Sequence, residues 1–520
     1  MSEVLENYVR GRWQAGKAPL ADLHDPTTGE VIARASTGGI DMKGALDWAR
    51  DVGGKALRAM TFAQRAEMLL AASKAIHAHR DALLEVGIRN GGNTRKDAKF
   101  DVDGAIGTLA AYADWGKKLG DTDAMLDGEG IQLGRTPRLW GQHVLLPRHG
   151  VAVHVNAFNF PAWGLAEKAA CAWLAGMPVV SKPATATAML AERVVRVLVD
   201  AKVLPEGALS LLCGSAGDLL DHMTAQDVLA FTGSADTGYL LRSKERLLRR
   251  SVRVNVEADS LNSAVLGPDV EPGTETWNLF LRDVVTDMTQ KAGQKCTAIR
   301  RVLVPAARLA DVEADLKERL TALKIGHPGQ EGVGMGPLST ASQLRDAKAG
   351  VTKLLAESTI VFGTLDEPAL VGATPGAGWF LSPVLLRTKD ASAAKTVHEH
   401  EVFGPVSTLL PWDGTPAAAA DLVRRGEGSL VASVFSDDRD FVRQMIVAIG
   451  PWHGRLYLGS EHMAGQSPGP GTVLPGTIHG GPGRAGGGEE LGAFRGLALY
   501  QQRVALEGDR AAIEKMFPPK

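Results

Sequence analysis

Val151-Ala152-Val153-His154-Val155, running into Asn156-Ala157-Phe158-Asn159-Phe160-Pro161, opens the stretch from Gly150 to Asp259 that decides the fold. A helical pattern over 164–175 follows, then a second short apolar run at 178–181 and a long helical pattern over 186–201. Further apolar runs occupy 209–212 and 228–232, and a basic helix over 237–250 leads into a last run at 252–256. Short apolar runs separated by amphipathic helices mark an α/β unit with a parallel sheet and right-handed crossovers.

Outward from this stretch, the region after Ile40 up to about residue 120 reads as mainly helical, with an early extended segment at Asp25-Pro26-Thr27-Thr28-Gly29-Glu30. Residues 128–148 alternate polar and apolar positions without helix signals, which predicts an extended hairpin arm. A second α/β alternation covers 274–436. Residues 450–496 are dense in Gly and Pro, too long for an ordinary loop and therefore expected to be functional. Residues 497–506 read as a strand.

A chain of 520 residues exceeds one ordinary core, so two or more domains are expected. The net charge of -2 gives no reason to expect a nucleic-acid or bilayer partner. No apolar run approaches the roughly 18 residues of a membrane span, and the segment before Trp13 lacks the apolar core of a signal peptide. Three cysteines, Cys171, Cys213 and Cys296, cannot form a disulfide framework in a chain this size. A cytoplasmic protein with reduced thiols is expected.

The chemistry concentrates at Cys296, in Gly293-Gln294-Lys295-Cys296-Thr297, thirty-nine positions after Glu257. A thiolate can attack a carbonyl, and a nearby carboxylate can take a proton from the water that releases the product. Asn159 lies beyond the carboxyl end of a predicted strand, where an open α/β sheet gathers its ligands. A side-chain amide there can donate to an oxyanion. Lys182 ends the next strand. Gly233 and Ser234 precede a helix whose free amides can hold a phosphate.

These pieces resemble the aldehyde dehydrogenase family in identity, order and spacing over nearly the whole chain. The matching segments are 25–30, Asn159-Phe160-Pro161, Lys182-Pro183, Phe231-Thr232-Gly233-Ser234, Glu257, 293–296 and Glu401-Val402-Phe403-Gly404-Pro405. The resemblance implies a Rossmann-type cofactor domain (1–127 and 149–259), an α/β catalytic domain (260–480), and an oligomerisation arm and terminal strand (128–148 and 496–510). It implies a nicotinamide cofactor, a homodimer, and no metal. Cys296 is then the nucleophile, Asn159 with the Cys296 amide the oxyanion donor, and Glu257 the base for deacylation. Lys168 matches a family lysine implicated in proton relay. Lys182 would hold the adenosine ribose, Gly233 and Ser234 the pyrophosphate, and Glu401, with Phe403 in the same motif, the nicotinamide ribose.

Two departures refine the expectation. NAD-preferring members often place a glutamate three positions after the ribose lysine, whereas Thr185 stands here, which predicts NADP. Ala258 and Asp259 replace two glycines common after the base. The segments 455–461 and 479–490 resemble the branch that oxidises CoA-linked semialdehydes in aerobic aromatic degradation, so a CoA thioester carrying an aliphatic semialdehyde is the expected substrate. Oxidation of free aldehydes, an acylating CoA-dependent dehydrogenase, a cysteine esterase and a silent binding protein remain alternatives. Gly481-Pro482-Gly483-Arg484-Ala485-Gly486 fits a dinucleotide fingerprint only literally. It is expected to be a loop without a preceding strand, and His398-Glu399-His400 to be surface residues.

Overall fold

A computed structural model describes residues 3–518; Met1 and Ser2, at the head of the 1–127 segment, lie outside the described residues. Two seven-stranded sheets carry the architecture. The first has the spatial order Arg253–Glu257, Val228–Thr232, Ala152–Val155, Val179–Lys182, Leu209–Leu211, Glu6–Val9, Arg12–Ala15. Its first five strands are parallel, and Glu6–Val9 and Arg12–Ala15 join antiparallel at one edge. The parallel strands are covered on both faces, which is why they read as continuous apolar runs rather than alternating ones.

The strand Ala152–Val155 is central, and the chain leaves it in opposite directions. Val179–Lys182 pairs on one side of it and Val228–Thr232 on the other. That reversal is a topological switch point, and a crevice opens beyond the carboxyl ends of the strands there. The register sets what lines it, because Val155 sits opposite both Lys182 and Phe231, and Thr232 sits opposite Glu257. Between the first two strands runs the helix Trp163–Leu174, buried at every position except Glu167. A helix apolar all round belongs inside a protein, and it carries Lys168 into the interior.

The second sheet runs Ser358–Phe362, Val384–Thr388, Val406–Trp412, Arg301–Pro305, Ser263–Leu266, Ser429–Phe435, His453–Gly459, parallel except for its first strand. A separate small sheet joins Leu139–Pro147 to Gln501–Asp509 over nine residue pairs, with Met125–Leu126 and Ile131–Gln132 beside it.

Several expectations require correction. Residues 25–30 form the turn between the antiparallel strands Ala21–His24 and Val31–Ala35, with the Gly29 amide donating to the Asp25 carbonyl. The helix expected over 237–250 is two, Ala235–Arg242 and Glu245–Arg249. Lys244 leaves helical geometry at ψ 120°, which turns Leu247 inward. The last strand begins at Gln501, after a 3-10 segment, Ala493–Tyr500. His398 is buried, because the interior guanidinium of Arg301 needs an acceptor and finds Nδ1 at 3.0 Å. Burial first, then Arg301, pushes that imidazole down to about 3, so it stays neutral.

The segment 481–486 is also more ordered than expected. A strand, Ile478–Gly481, does precede it, and after one 3-10 turn the chain returns antiparallel as Gly488–Leu491. No helix follows, so the segment is the tip of a hairpin. The glycines are what let this hairpin lie on the Arg253–Glu257 strand. A Cβ on Gly486 or Gly488 would stand 2.4 or 2.5 Å from the Val256 carbonyl oxygen.

Candidate active site

The turn that delivers Cys296 is built from unusual backbone. After the helix Glu275–Thr289, Lys291, Ala292 and Gly293 all adopt positive φ, at 54°, 52° and 68°. Two non-glycine residues held there are strained, and such strain survives only where the surroundings fix it. A Cβ on Gly293 would meet the Gly404 carbonyl oxygen at 2.2 Å, so this turn packs directly on the segment carrying Glu401 and Phe403. Arg300 ties the two together, donating to the carbonyls of Gly404 (2.8 Å), Gly293 (3.0 Å) and Lys295 (3.2 Å). Asn262 Nδ2 donates to the Cys296 carbonyl at 2.8 Å, and Thr297 Oγ1 to the Gly471 carbonyl at 2.8 Å. Backbone atoms on both sides of the thiol are therefore pinned.

Cys296, Glu257, Asn159 and Lys168 line one cleft, with Phe100, Phe160 and Trp163 as an aromatic wall. Asn159 is buried, and its Nδ2 donates to the Gln294 carbonyl at 3.0 Å, two residues before the thiol. The amide is thus already aimed at the loop where an oxyanion would form. Glu257 ends its strand inside the cleft, accepting from Thr232 Oγ1 at 3.4 Å. Burial pushes its carboxyl up, but His479 and Lys168 outweigh that and hold it down at about 2. Burial, and then the Glu257 charge, push the Cys296 thiol well above its ordinary value. Cys171 and Cys213 are buried among apolar side chains, as expected of packing residues.

Lys168 is not a solvated helix residue. Its buried Nζ lies 3.1 Å from Oε2 of the buried Glu490 and 3.2 Å from Oε1 of the part-buried Glu167. Asn255 Nδ2 donates to the other Glu490 oxygen at 3.0 Å. Burial raises the Glu490 carboxyl to about 7 despite Lys168, with Glu257 and Glu167 adding to the rise.

The remaining residues lie outside the cleft lining. Lys182 ends its strand half-buried, and among the described residues its ammonium has no hydrogen-bond or ion-pair partner. Thr185 begins a 3-10 turn just beyond. Gly233 donates its amide to the Glu257 carbonyl at 3.1 Å. Ser234 caps the next helix by accepting from the Thr237 amide, while Asp259 accepts from the Ala235 amide at 2.9 Å. A carboxylate therefore occupies one of the free amides of that helix start, the local consequence of the missing glycines. Glu401 accepts from the Ser260 amide at 2.9 Å and pairs with Arg300 at 3.3 Å. Phe403 packs edge-on against Phe158 at 5.8 Å.

The main residue that sequence reasoning missed is His479. Its Nε2 lies 3.1 Å from Glu257 Oε1 and 3.9 Å from Cys296 Sγ. It shares a hairpin rung with Glu490, so one cross-strand pair supplies both the neighbour of the thiol and the partner of Lys168. The available signal was the near-symmetric placing of His479 and Glu490 about a glycine-rich turn, which is how a hairpin puts two side chains on one face.

A switch-point crevice with a pinned thiol, an adjacent carboxylate and an aimed amide is equipped to capture a carbonyl covalently and release it as an acid. The aldehyde dehydrogenase family model matches residues 13–491, and the chain belongs to that family, whose members oxidise aldehydes through a cysteine. It is 47% identical over 478 residues to the 3,4-dehydroadipyl-CoA semialdehyde dehydrogenase of Aromatoleum evansii, covering 92% of this chain and 93% of that one. Among solved structures, 3,6-anhydro-L-galactose dehydrogenase in complex with NADP matches with a TM-score of 0.84 at 20% identity, over 98% of this chain and 100% of that one. Betaine aldehyde dehydrogenase of Staphylococcus aureus in complex with NAD+ matches with a TM-score of 0.83 at 22% identity, over 97% and 95%. Both likenesses agree with the fold described above. No helix among the described residues is long and apolar enough to cross a membrane.

Proposed function

We propose that the protein oxidises a CoA-linked aliphatic semialdehyde, of the 3,4-dehydroadipyl-CoA semialdehyde type, to the free acid with NADP as oxidant. The observation that carries the chemistry is the convergence of Cys296, Glu257 and Asn159 on one cleft. The substrate class rests on the likeness to the Aromatoleum evansii enzyme across both chains. Cys296 attacks the aldehyde carbon, and the Asn159 amide and the Cys296 N–H donate to the oxyanion. A bound nicotinamide supplies the hydride acceptor. Glu257 then takes a proton from the water that attacks the thioester. A water-activating carboxylate favours hydrolysis over transfer to free CoA, which supports a non-acylating enzyme.

The residues present fit a dinucleotide. Lys182 offers an unpartnered ammonium at the switch point, where a cofactor's ribose and phosphates belong. Thr185 supports NADP, because no carboxylate stands beside Lys182 to repel a 2′-phosphate and a hydroxyl is available to donate. Glu401 and Phe403 would border the nicotinamide ribose, and Gly233 with Ser234 the pyrophosphate.

The test is reduced-cofactor formation with an ω-oxoacyl-CoA of about adipyl length beside a free aldehyde of matching length. The CoA thioester is expected to show the higher kcat/KM. NADP is expected to exceed NAD by about tenfold or more, the worth of one charge-assisted contact. Better turnover of the free aldehyde sinks the substrate reading, and a preference for NAD sinks the cofactor reading.

The strand pair Leu139–Pro147 and Gln501–Asp509 supports a homodimer. Leu139 and Ile131 are exposed large apolar residues on this small sheet, and its outer edge is unpaired among the described residues. Pairing across a two-fold axis covers such an edge. Light scattering is expected to give the dimer mass; a monomer at micromolar concentration contradicts it.

A further inference from the structure

Glu257, Cys296 and His479 form a compact cluster in which a carboxylate oxygen, the sulfur and a ring nitrogen all lie within 4.8 Å of one another. His479 and Glu257 are buried and the thiol is part-buried. Nothing in the acid–base scheme above uses the imidazole. Yet the thiol presents a difficulty that scheme leaves open. Burial and the neighbouring carboxylate both disfavour a thiolate, and a thiol kept protonated is a poor nucleophile at neutral pH.

The position of His479 answers this. Its Nε2 stands between the two groups, 3.9 Å from Sγ and 3.1 Å from Glu257 Oε1. Glu257 Oε1 has no aligned hydrogen-bond donor among the described residues, so its contact with the ring is a charge contact. The groups facing the ring are Glu257 from the adjacent strand, Cys296 from its loop, Glu167 and Lys168 from the buried helix, and Glu490 from the partner strand of the hairpin. The ring loses hydration on burial, but the surrounding carboxylates outweigh that and favour its charged form. A cation placed at a thiol is the general means of lowering its pKa.

We propose that His479 is a further catalytic residue, whose Nε2–H holds the Cys296 thiolate once the thiol proton has passed to solvent. The inference rests on Cys296 being the nucleophile. In the step, the S–H bond breaks, a solvent water takes the proton, and both electrons of the S–H bond stay on sulfur. The imidazolium neither gains nor loses a proton; it donates its N–H to the new thiolate. Glu257 stays ionised and free to act as the base in deacylation. When water displaces the acyl group, the departing sulfur regains its charge, and the same N–H receives it. His479 thus serves both halves of the reaction, and its place on the glycine-rich hairpin gives that segment a catalytic purpose.

Alkylation of Cys296 by iodoacetamide, followed by mass spectrometry across a pH series, tests this without any aldehyde. In the native enzyme the rate is expected to level off below about pH 8, as for a thiolate beside a cation. A rate still climbing at pH 9, the behaviour of a thiol governed by burial alone, overturns the proposal with no variant needed. In His479→Gln and His479→Asn, checked for fold by circular dichroism, the rate at pH 7 is expected to fall at least tenfold and the profile to move to higher pH. An unchanged profile in a folded variant also overturns it. The underlying reading fails differently: Cys296→Ala would then retain turnover.

Discussion

Replacement of Cys296 by alanine is expected to remove aldehyde oxidation entirely, with kcat falling by at least roughly a thousandfold, as for loss of a covalent nucleophile. The size follows from the site's construction. The loop is pinned by Asn262, Thr297 and Arg300, and its strained turn at Lys291 and Ala292 is fixed by packing on Gly404. All of this positions one sulfur, and removal of that sulfur leaves Asn159 and Glu257 with no bond to stabilise or hydrolyse. Steady-state assay with saturating substrate and cofactor checks the result. The fold should be unharmed, because alanine relieves a part-buried side chain at the cleft rather than in either core. An unchanged melting temperature beside the lost activity separates chemistry from stability. Turnover that survives the substitution would remove the covalent mechanism altogether.

The parallel half of the first sheet was legible because its strands are buried on both faces, which leaves mostly apolar runs such as 151–155, broken only by His154, and 228–231 between helical patterns. Cys296, Glu257 and Asn159 were legible for a related reason. Glu257 ends a strand and Asn159 follows one, while Cys296, in the turn after a helix, is marked by its motif. His479 and Glu490 were not, since their segment has neither helical nor strand periodicity. Glycine is there for close approach to the Val256 backbone, and it hides a two-stranded hairpin behind the composition of a loop. Lys168 was read onto a helix, where it lies, but its buried ammonium pairs with Glu490, a partner more than three hundred residues away. His398 likewise reads as a polar surface residue until Arg301, from a distant strand, shows why it is inside. Long-range polar pairing is the part that local patterning cannot carry.

Glu257→Gln separates the two halves of the reaction and gives the second large effect. Glutamine keeps the size of the side chain and a carbonyl oxygen, but it cannot take a proton from water. Formation of the thioester is expected to proceed, giving a burst of reduced cofactor close to one equivalent per active site. Steady-state turnover then falls by about 10²–10⁴-fold, the usual contribution of a positioned base. Rapid mixing with product quenching checks both phases, and the acyl-enzyme should be recoverable as a mass added to the Cys296 peptide. The variant also bears on His479, because the substitution removes the carboxylate that His479 faces at 3.1 Å. The low carboxyl pKa of about 2 in the resting arrangement comes from His479 and Lys168 acting against burial. If burst and steady state fall together in Glu257→Gln, the carboxylate is needed before the thioester forms. Its main work would then be acceptance of the Cys296 proton rather than activation of water.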